Sequence, residues 1–589
     1  MDLYSMYLIN VEALLEREGL METRERVDCR AKVLELRDDE VTEYAILSHR
    51  WGEQEVAYDE IVELANMNKE KRDEIRQRDG YQKILDSCKQ AEKDGYEWLW
   101  VDTCCIDKRS SAELSEAINS MYRWYENAQV CYAYLHDAPD SSFPVARNDE
   151  RYANGWPEWF SRGWTLQEMI APSDVQFFYK EWQAIGDKRT FKVACTLKEI
   201  TGVPTHILTD GLYGNRPCVA QIMSWAANRT TTRVEDRAYS LMGLLGVNMP
   251  MLYGEGKKAF HRLQLEIIRM SNDQSIFAWG WNEEVRIGNI LADDPSVFRH
   301  CSTMTLMGPD EFIGYLAKEM PEGELPLPED DRLGTFPVTN RGIQIWLFLR
   351  PIPETDSVFE AWLPCRSWAS DPPVAINICL IESNYYRCAR RLDSRPGGTF
   401  QFRQIYLRYQ DTSYRKAAFE IDDSAITKQG FTCHSTYPAK FTGNMLILSS
   451  TDTLCVKVYS NSQTGDYFAV GFGQFFGKDW IHVQSAMRGT LREEGARYEY
   501  NNMLARAPEY AQSMDKAPFG ALVRIMRSCL GQLTLRIGVV WKSSRENGVK
   551  LEIFRDPVPN YYVSGEWTHF DREFGVSVSY SAFLQLHHH

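Results

Sequence analysis

At 589 residues the chain is too long for one hydrophobic core, because single domains run to about 100–200 residues, so about two or three are expected. Its 44% hydrophobic and 25% charged residues are an ordinary globular composition and exclude long disorder. The 66 Lys and Arg against 82 Asp and Glu leave a formal charge of −16, which argues against nucleic acid as main partner and against attachment to anionic membranes, since both need a basic face.

In chain order, Glu12, Glu16 and Arg17 interrupt the first apolar residues, so neither a signal peptide nor a membrane span is expected there. Tyr44-Ala45-Ile46-Leu47 reads as a buried strand ending in the polar cluster Ser48-His49-Arg50-Trp51-Gly52. The charged stretch Asn66 to Asp79 reads as a solvated helix or insertion. Tyr81, Ile84, Leu85, Cys88 and Ala91 then recur at helical spacing up to Gly95, a natural C-cap. Trp98-Leu99-Trp100-Val101 is a second strand that stops at Asp102. Ser110 with Glu113 predicts a capping box opening a helix whose inner face is Leu114, Ala117, Ile118, Met121 and Tyr125. Val130 to Leu135 is a third strand, Trp164 to Ile170 a short helix stopped near Pro172, and Val175 to Tyr179 a fourth strand. Strands and helices alternating at this spacing predict βαβ units and a mostly parallel sheet.

From Pro217 to Asn272 the pattern is helical, with an amphipathic segment over Gly256–Met270. Beyond Gly334 short runs of Val, Ile, Tyr and Phe take over: Ile343–Leu349, Ala375–Ile381, Phe402–Tyr409, Met445–Leu448, Thr453–Tyr459, Tyr467–Phe472, Thr534–Val540 and Val549–Phe554. They predict an all-β module such as a β-sandwich. The expected organisation is an α/β domain over 1–200, a helical connector over 201–285 and a β-rich domain over 330–586. His587-His588-His589 reads as a purification-tag remnant.

The 14 cysteines form no C-x-x-C pair and no zinc spacing, so no metal is expected and most thiols read as buried in a reducing compartment, cytosol or nucleus, with a cytoplasmic location expected. Asn228-Arg229-Thr230 matches a glycosylation sequon but carries little weight without a secretory signal. No G-x-G-x-x-G follows a strand, and Gly256-Lys257-Lys258 lacks the upstream glycine of a phosphate loop. A cysteine hydrolase built on Cys104 or Cys105 with His136 competes with buried strand-end thiols.

Ligands of open parallel sheets bind beyond the C-terminal strand ends. Here those ends carry Ser48 to Trp51, Asp102 to Asp107, and His136-Asp137. Such a rim suits a polar ligand bearing an aromatic ring, although the same groups also simply solvate strand ends and cap helices. Trp164 and Glu168 are four residues apart and so share a helix face. A carboxylate in the first turns of a helix beside an indole is partly desolvated yet near positive backbone dipoles. Alternatively, Glu168 is a helix-start carboxylate paired with Arg162.

Tyr44 to Gly52, Leu99-Trp100-Val101-Asp102-Thr103-Cys104-Cys105-Ile106-Asp107 and Phe160-Ser161-Arg162-Gly163-Trp164-Thr165-Leu166-Gln167-Glu168 resemble the three signature blocks of the fungal heterokaryon-incompatibility (HET) domain. The resemblance covers about residues 40 to 185. Arg233 to Gly243 and Tyr253-Gly254-Glu255-Gly256 resemble the helical extension that follows this domain in many fungal members. It implies non-self recognition and regulated cell death after incompatible hyphae fuse. The pattern is also similar to a divergent Toll/interleukin-1 receptor (TIR) domain, a flavodoxin-like α/β fold. Ser161 stands one residue further from Trp164 than in the usual TIR motif, and Thr165 replaces a common Cys.

Catalytic TIR domains cleave NAD between nicotinamide and ribose with a Glu at the position matching Glu168. The resemblance therefore implies NAD as substrate, no other cofactor, Glu168 as catalytic residue and activation by self-association into a homo-oligomer. By position, Trp51 or Trp164 would stack on a ring, Arg50 would hold a phosphate, Ser48 and Asp102 would bind ribose hydroxyls, and Asp107 completes the substrate-binding rim. The β module would sense a partner or trigger. The competing expectation is a non-enzymatic scaffold acting by oligomerisation, in which Glu168 is structural.

Overall fold

The computed structural model describes residues 5–23, 32–143, 149–212, 214, 217–281, 289–320, 325–352, 358–381, 383–388, 398–410, 417–438, 445–448, 454–463, 465, 467–475, 478–485, 493–507, 510, 522–527, 533–541 and 547–555. Its N-terminal part comprises β1 (Ser5–Asn10), α1 (Val11–Thr23), β2 (Leu34–Asp38), β3 (Ala45–His49), α2 (Tyr58–Glu63), α3 (Lys69–Arg76), α4 (Asp79–Asp94), β4 (Trp98–Trp100), α5 (Ser111–Asn127), β5 (Val130–Leu135), α6 (Thr165–Ile170), β6 (Val175–Tyr179) and β7 (Ala184–Asp187).

The seven strands form one sheet in the order β2-β1-β4-β3-β5-β6-β7. The four central strands are parallel. Antiparallel strands flank them: β1 and β2 at one edge, β7 at the other. Only a strand covered on both faces can be apolar throughout, and β3 is buried at every position. The edge strands β1, β2 and β7 were not anticipated, because β2 and β7 are half-exposed and carry no apolar run.

Local chemistry explains the boundaries. Gly95 ends α4 with φ 86°, a conformation open to glycine at no steric cost. The charged 66–79 stretch folds as the short helix α3. Ser110 caps α5 by accepting from the Glu113 backbone N–H at 3.3 Å. The reciprocal half of the expected capping box is missing, however: the Glu113 carboxylate accepts from the Asp107 N–H at 2.8 Å instead. That bond ties the loop after β4 to the helix.

The helical segment contains α7 (Phe191–Thr201), α8 (Thr205–Asp210), α9 (Val219–Ala226), α10 (Asp236–Tyr239), α11 (Met242–Leu245) and α12 (Lys258–Met270). It packs directly on the sheet domain. A Cβ on Gly243 of α11 would stand 2.2 Å from the Tyr122 Cβ of α5, so glycine alone allows that approach. One continuous apolar core runs from Met6 through Leu263 to Leu407.

The C-terminal region is β-rich but not all β. Ile343–Pro351, Val358–Leu363, Val374–Ile381, Asn384–Arg387 and Gln401–Leu407 close into a small barrel. Beyond it a five-stranded and a four-stranded sheet share a core in which Phe419, Ile421, Leu446 and Leu551 meet Phe431, Tyr459, Phe468 and Phe472. The helix Glu493–Ala505 interrupts the strands. All eight predicted strands coincide with observed ones to within two residues at each end, except that the strand beginning at Tyr467 runs three residues further than expected, to Phe475.

Candidate active site

Three segments converge at the C-terminal edge of the parallel strands. β3 delivers Ser48 and His49, both buried. The 3-10 turn Glu158–Ser161 delivers Trp159, which is wholly buried. α6 delivers Glu168, only 4% exposed. Every residue of this six-residue helix is buried, and it stops short of Pro172. The Thr165 Oγ1 lies 2.6 Å from the Trp159 carbonyl, joining the turn to the helix start.

At the centre the Ser48 hydroxyl donates to Glu168 Oε2 at 2.5 Å, while the Trp159 indole N–H donates to Ser48 Oγ at 2.9 Å. Burial pushes the Glu168 carboxyl up from 4.5 to about 8. The Ser48 hydrogen bond and the charges of Arg162 and Arg229 oppose that rise, and Asp102 adds to it. The group is therefore mostly a neutral acid at pH 7.

Around it lies a more exposed rim. The Trp51 indole donates to Asp102 Oδ2 at 2.7 Å. The Lys108 ammonium sits 3.9 Å from the Trp51 ring centroid, and the Arg162 guanidinium lies over the same ring at 5.5 Å. Burial raises the Asp102 pKa, with Lys108, the Trp51 bond and Arg162 pulling the other way. His49 Nε2 stands 3.7 Å from Asp102 Oδ1 and 3.8 Å from Glu55 Oε2. Burial, helped by the charge of Lys83, drives its pKa well below the ordinary histidine value, so the ring is neutral.

The sequence-derived residues thus divide. Ser48 and Glu168 meet directly, and Trp51 and Asp102 pair beside them. Arg50 turns instead to an ion pair with Glu158, whose Oε2 also lies 3.7 Å from His136 Nε2. The Trp164 side chain hydrogen-bonds Asp236, which also accepts from the Tyr253 hydroxyl at 3.0 Å. Asp107 pairs with Arg109 at 2.8 Å on the surface. Arg162 forms no ion pair with Glu168 among the contacts described; it lies over Trp51.

Two neighbours escaped sequence reasoning. Trp159 stands one residue before the third signature block, which begins at Phe160, and had no distinguishing spacing. Arg229 was seen only as the middle of a sequon, yet it is 4% exposed and donates to the Arg162 carbonyl at 2.8 Å and to Thr165 Oγ1 at 2.9 Å.

Two cavities lie elsewhere. One of about 420 Å³ lies among Gln274, Phe312, Trp346 and Trp362, and one of about 690 Å³ among Glu18, Arg72 and Arg76. Neither touches Ser48 or Glu168. Among the described residues no cluster of His, Cys, Asp and Glu suits a metal ion, and no helix is long and apolar enough to cross a membrane.

Residues 44–158 match the family described as Heterokaryon incompatibility protein (HET). Residues 258–287 match a Domain of unknown function (DUF8212). Over 266 residues the chain is 41% identical to Vegetative incompatibility protein HET-E-1 of Podospora anserina. That match covers 43% of this chain and 18% of that protein, so the chain spans less than a fifth of its relative's length. The lectin XCL of Xerocomus chrysenteron aligns at 10% identity over 24% of this chain and 100% of its own, with a TM-score of 0.16, a likeness too slight to bear on fold or function.

Proposed function

Because the chain carries a heterokaryon-incompatibility (HET) domain, we propose that it acts in fungal non-self recognition, and that its Ser48–Glu168 centre is an NAD glycohydrolase site held shut until the protein self-associates. The observation that carries this reading is the Glu168 carboxyl, sealed at the C-terminal edge of a parallel sheet and pushed up to about 8 by burial. Strongly desolvated carboxylates aimed at a ligand-binding edge are disproportionately functional.

The chemistry needs one carboxylate. The bond between ribose C1′ and the nicotinamide nitrogen breaks, and its electron pair leaves with nicotinamide. The cationic ring thereby departs neutral without a general acid. Positive charge develops on the ribose, and an ionised Glu168 stabilises it. Water then adds to C1′ and loses its proton to solvent, giving ADP-ribose. With a pKa of about 8, roughly one Glu168 in ten is ionised at pH 7. Opening the site to water and to a cationic substrate lowers that pKa, so activation and ionisation arrive together. Ser48 and Asp102 would take ribose hydroxyls, Trp51 the flat ring, and Arg50 a phosphate once released from Glu158.

One observation favours a second reading, a scaffold acting through self-association: Glu168 is covered, and neither open cavity reaches it. Purified protein, alone and under crowding, is to be incubated with NAD while free nicotinamide is followed, alongside Glu168→Gln. Release that rises in the self-associated fraction and disappears in the variant is expected. If nicotinamide never appears while hyphal cell death survives Glu168→Gln, the enzyme reading is wrong and the scaffold stands.

A further inference from the structure

Arg229 lies in the helical segment, in the turn after α9, yet it is buried against the Glu168 helix. Its Nη1 donates to the Arg162 carbonyl at 2.8 Å and to Thr165 Oγ1 at 2.9 Å. Those acceptors bracket the start of α6, one turn before Glu168. Its Nη2 is buried with no hydrogen-bond partner among the described residues. The adjoining backbone is strapped to the same loop: the Gly163 N–H donates to the Thr230 carbonyl at 2.8 Å and the Thr230 N–H to the Ser161 carbonyl at 2.7 Å. Arg237 secures the strap from behind by donating to the Arg229 carbonyl and pairing with Asp294 at 2.7 Å.

A guanidinium stripped of water and left one donor short is costly unless something repays it. The charge that acts favourably on it is Glu168, and the relation is mutual. The other titratable or charged groups acting on Glu168 are Asp102 from the loop after β4 and Arg162 from its own loop. Tyr125 of α5 and Cys131 of β5 also face it. Of the two cations, Arg162 is engaged with the Trp51 ring, whereas Arg229 is locked in the interior.

We infer that Arg229 is a positioning residue for the Ser48–Glu168 centre: it fixes the start of the Glu168 helix and supplies the buried positive charge against which Glu168 ionises. This rests on the enzymatic reading of that centre. It makes the site a joint product of the sheet domain and the helical segment, so movement of the strap reaches the carboxylate directly.

The test is made on the full-length protein. Carboxyl-stretch difference infrared spectra, wild type against Glu168→Gln, give the pH at which Glu168 ionises, and nicotinamide release gives the pH–rate profile. Arg229→Gln keeps a donor for the Arg162 carbonyl and removes the charge. It is expected to move Glu168 ionisation upward by about one pH unit or more and to carry the pH–rate profile with it. Arg229→Lys, which keeps the charge, is expected to restore both. Should Arg229→Gln fail to fold, Arg229→Lys decides: an ionisation pH within a few tenths of wild type supports the electrostatic role, and a rise as large as one unit overturns it. Unchanged Glu168 ionisation in folded Arg229→Gln overturns the inference even if nicotinamide is released. A shifted ionisation without any nicotinamide release keeps the Arg229–Glu168 coupling and removes the glycohydrolase reading alone.

Discussion

Replacing Glu168 by Gln should stabilise the protein, and by an amount that grows with pH. Folding raises the Glu168 pKa from 4.5 to about 8. Between those values the folded chain holds a proton that the unfolded chain has lost, so stability present below pH 4.5 drains away as pH rises and is fully lost near pH 8. At about 1.4 kcal/mol per pH unit, the wild type forfeits roughly 3 kcal/mol by pH 7 and roughly 5 kcal/mol by pH 8. Glutamine has no such debt, and its side-chain oxygen can still accept from Ser48, which is the donor in the pair. Other groups cancel in the comparison. His49, held neutral by burial, penalises both proteins equally as acid is added. Arg229, lowered only to about 9, keeps its charge across the window. Thermal unfolding of the two proteins at several pH values measures the difference directly. The Gln variant should melt only slightly differently near pH 5 and roughly 6–12 °C higher at pH 7, at about 2–4 °C per kcal/mol. Parallel pH profiles for the two proteins would refute the claim that the carboxyl is desolvated and protonated.

Ser48→Ala removes the donor to Glu168 and leaves the buried Trp159 N–H without its acceptor; a loss of about 1–3 kcal/mol is expected in chemical denaturation, together with loss of any nicotinamide release. Gly163→Ala would place a Cβ 2.5 Å from the Thr231 Cγ2 and so push the strap off the Glu168 helix. A destabilisation of about 1–3 kcal/mol is expected, and Thr231→Ala in the same chain should recover most of it; no recovery would show that the strain lies elsewhere.

Much of the sheet was legible because parallel strands buried on both faces are continuous apolar runs, and Val130–Leu135 and Val175–Tyr179 appear at the lengths read from sequence. Edge strands gave no such signal: half of Ala184–Asp187 consists of Gly186 and Asp187. At the site, Ser48 was legible as a strand-end hydroxyl and Glu168 as a helix-start carboxylate. That the two touch is a fact of topology, since 120 residues separate them. Local ion pairs were not legible in the sequence: Arg50 pairs with Glu158 and Asp107 with Arg109 two residues on, so neither is turned toward Glu168 in this structure.

Arg229 marks where sequence reasoning was blind for a physical reason. A surface arginine and a buried one are the same letter, and nothing in Asn228-Arg229-Thr230 declares burial. Its position follows from packing: seven of the eight residues of α9 are buried, Ile222, Met223 and Trp225 join the core that the sheet domain shares, and the turn after α9 delivers Arg229 to the α6 start. The same packing bears on how a quiet enzyme could be built. A buried acid with a pKa of about 8 is mostly neutral at pH 7 while the site is closed and ionises more readily once a cationic substrate arrives. On the proposed glycohydrolase reading, sealing the site and withholding the carboxylate charge are one structural act, and whatever loosens the strap between Ser161 and Thr230 would undo both.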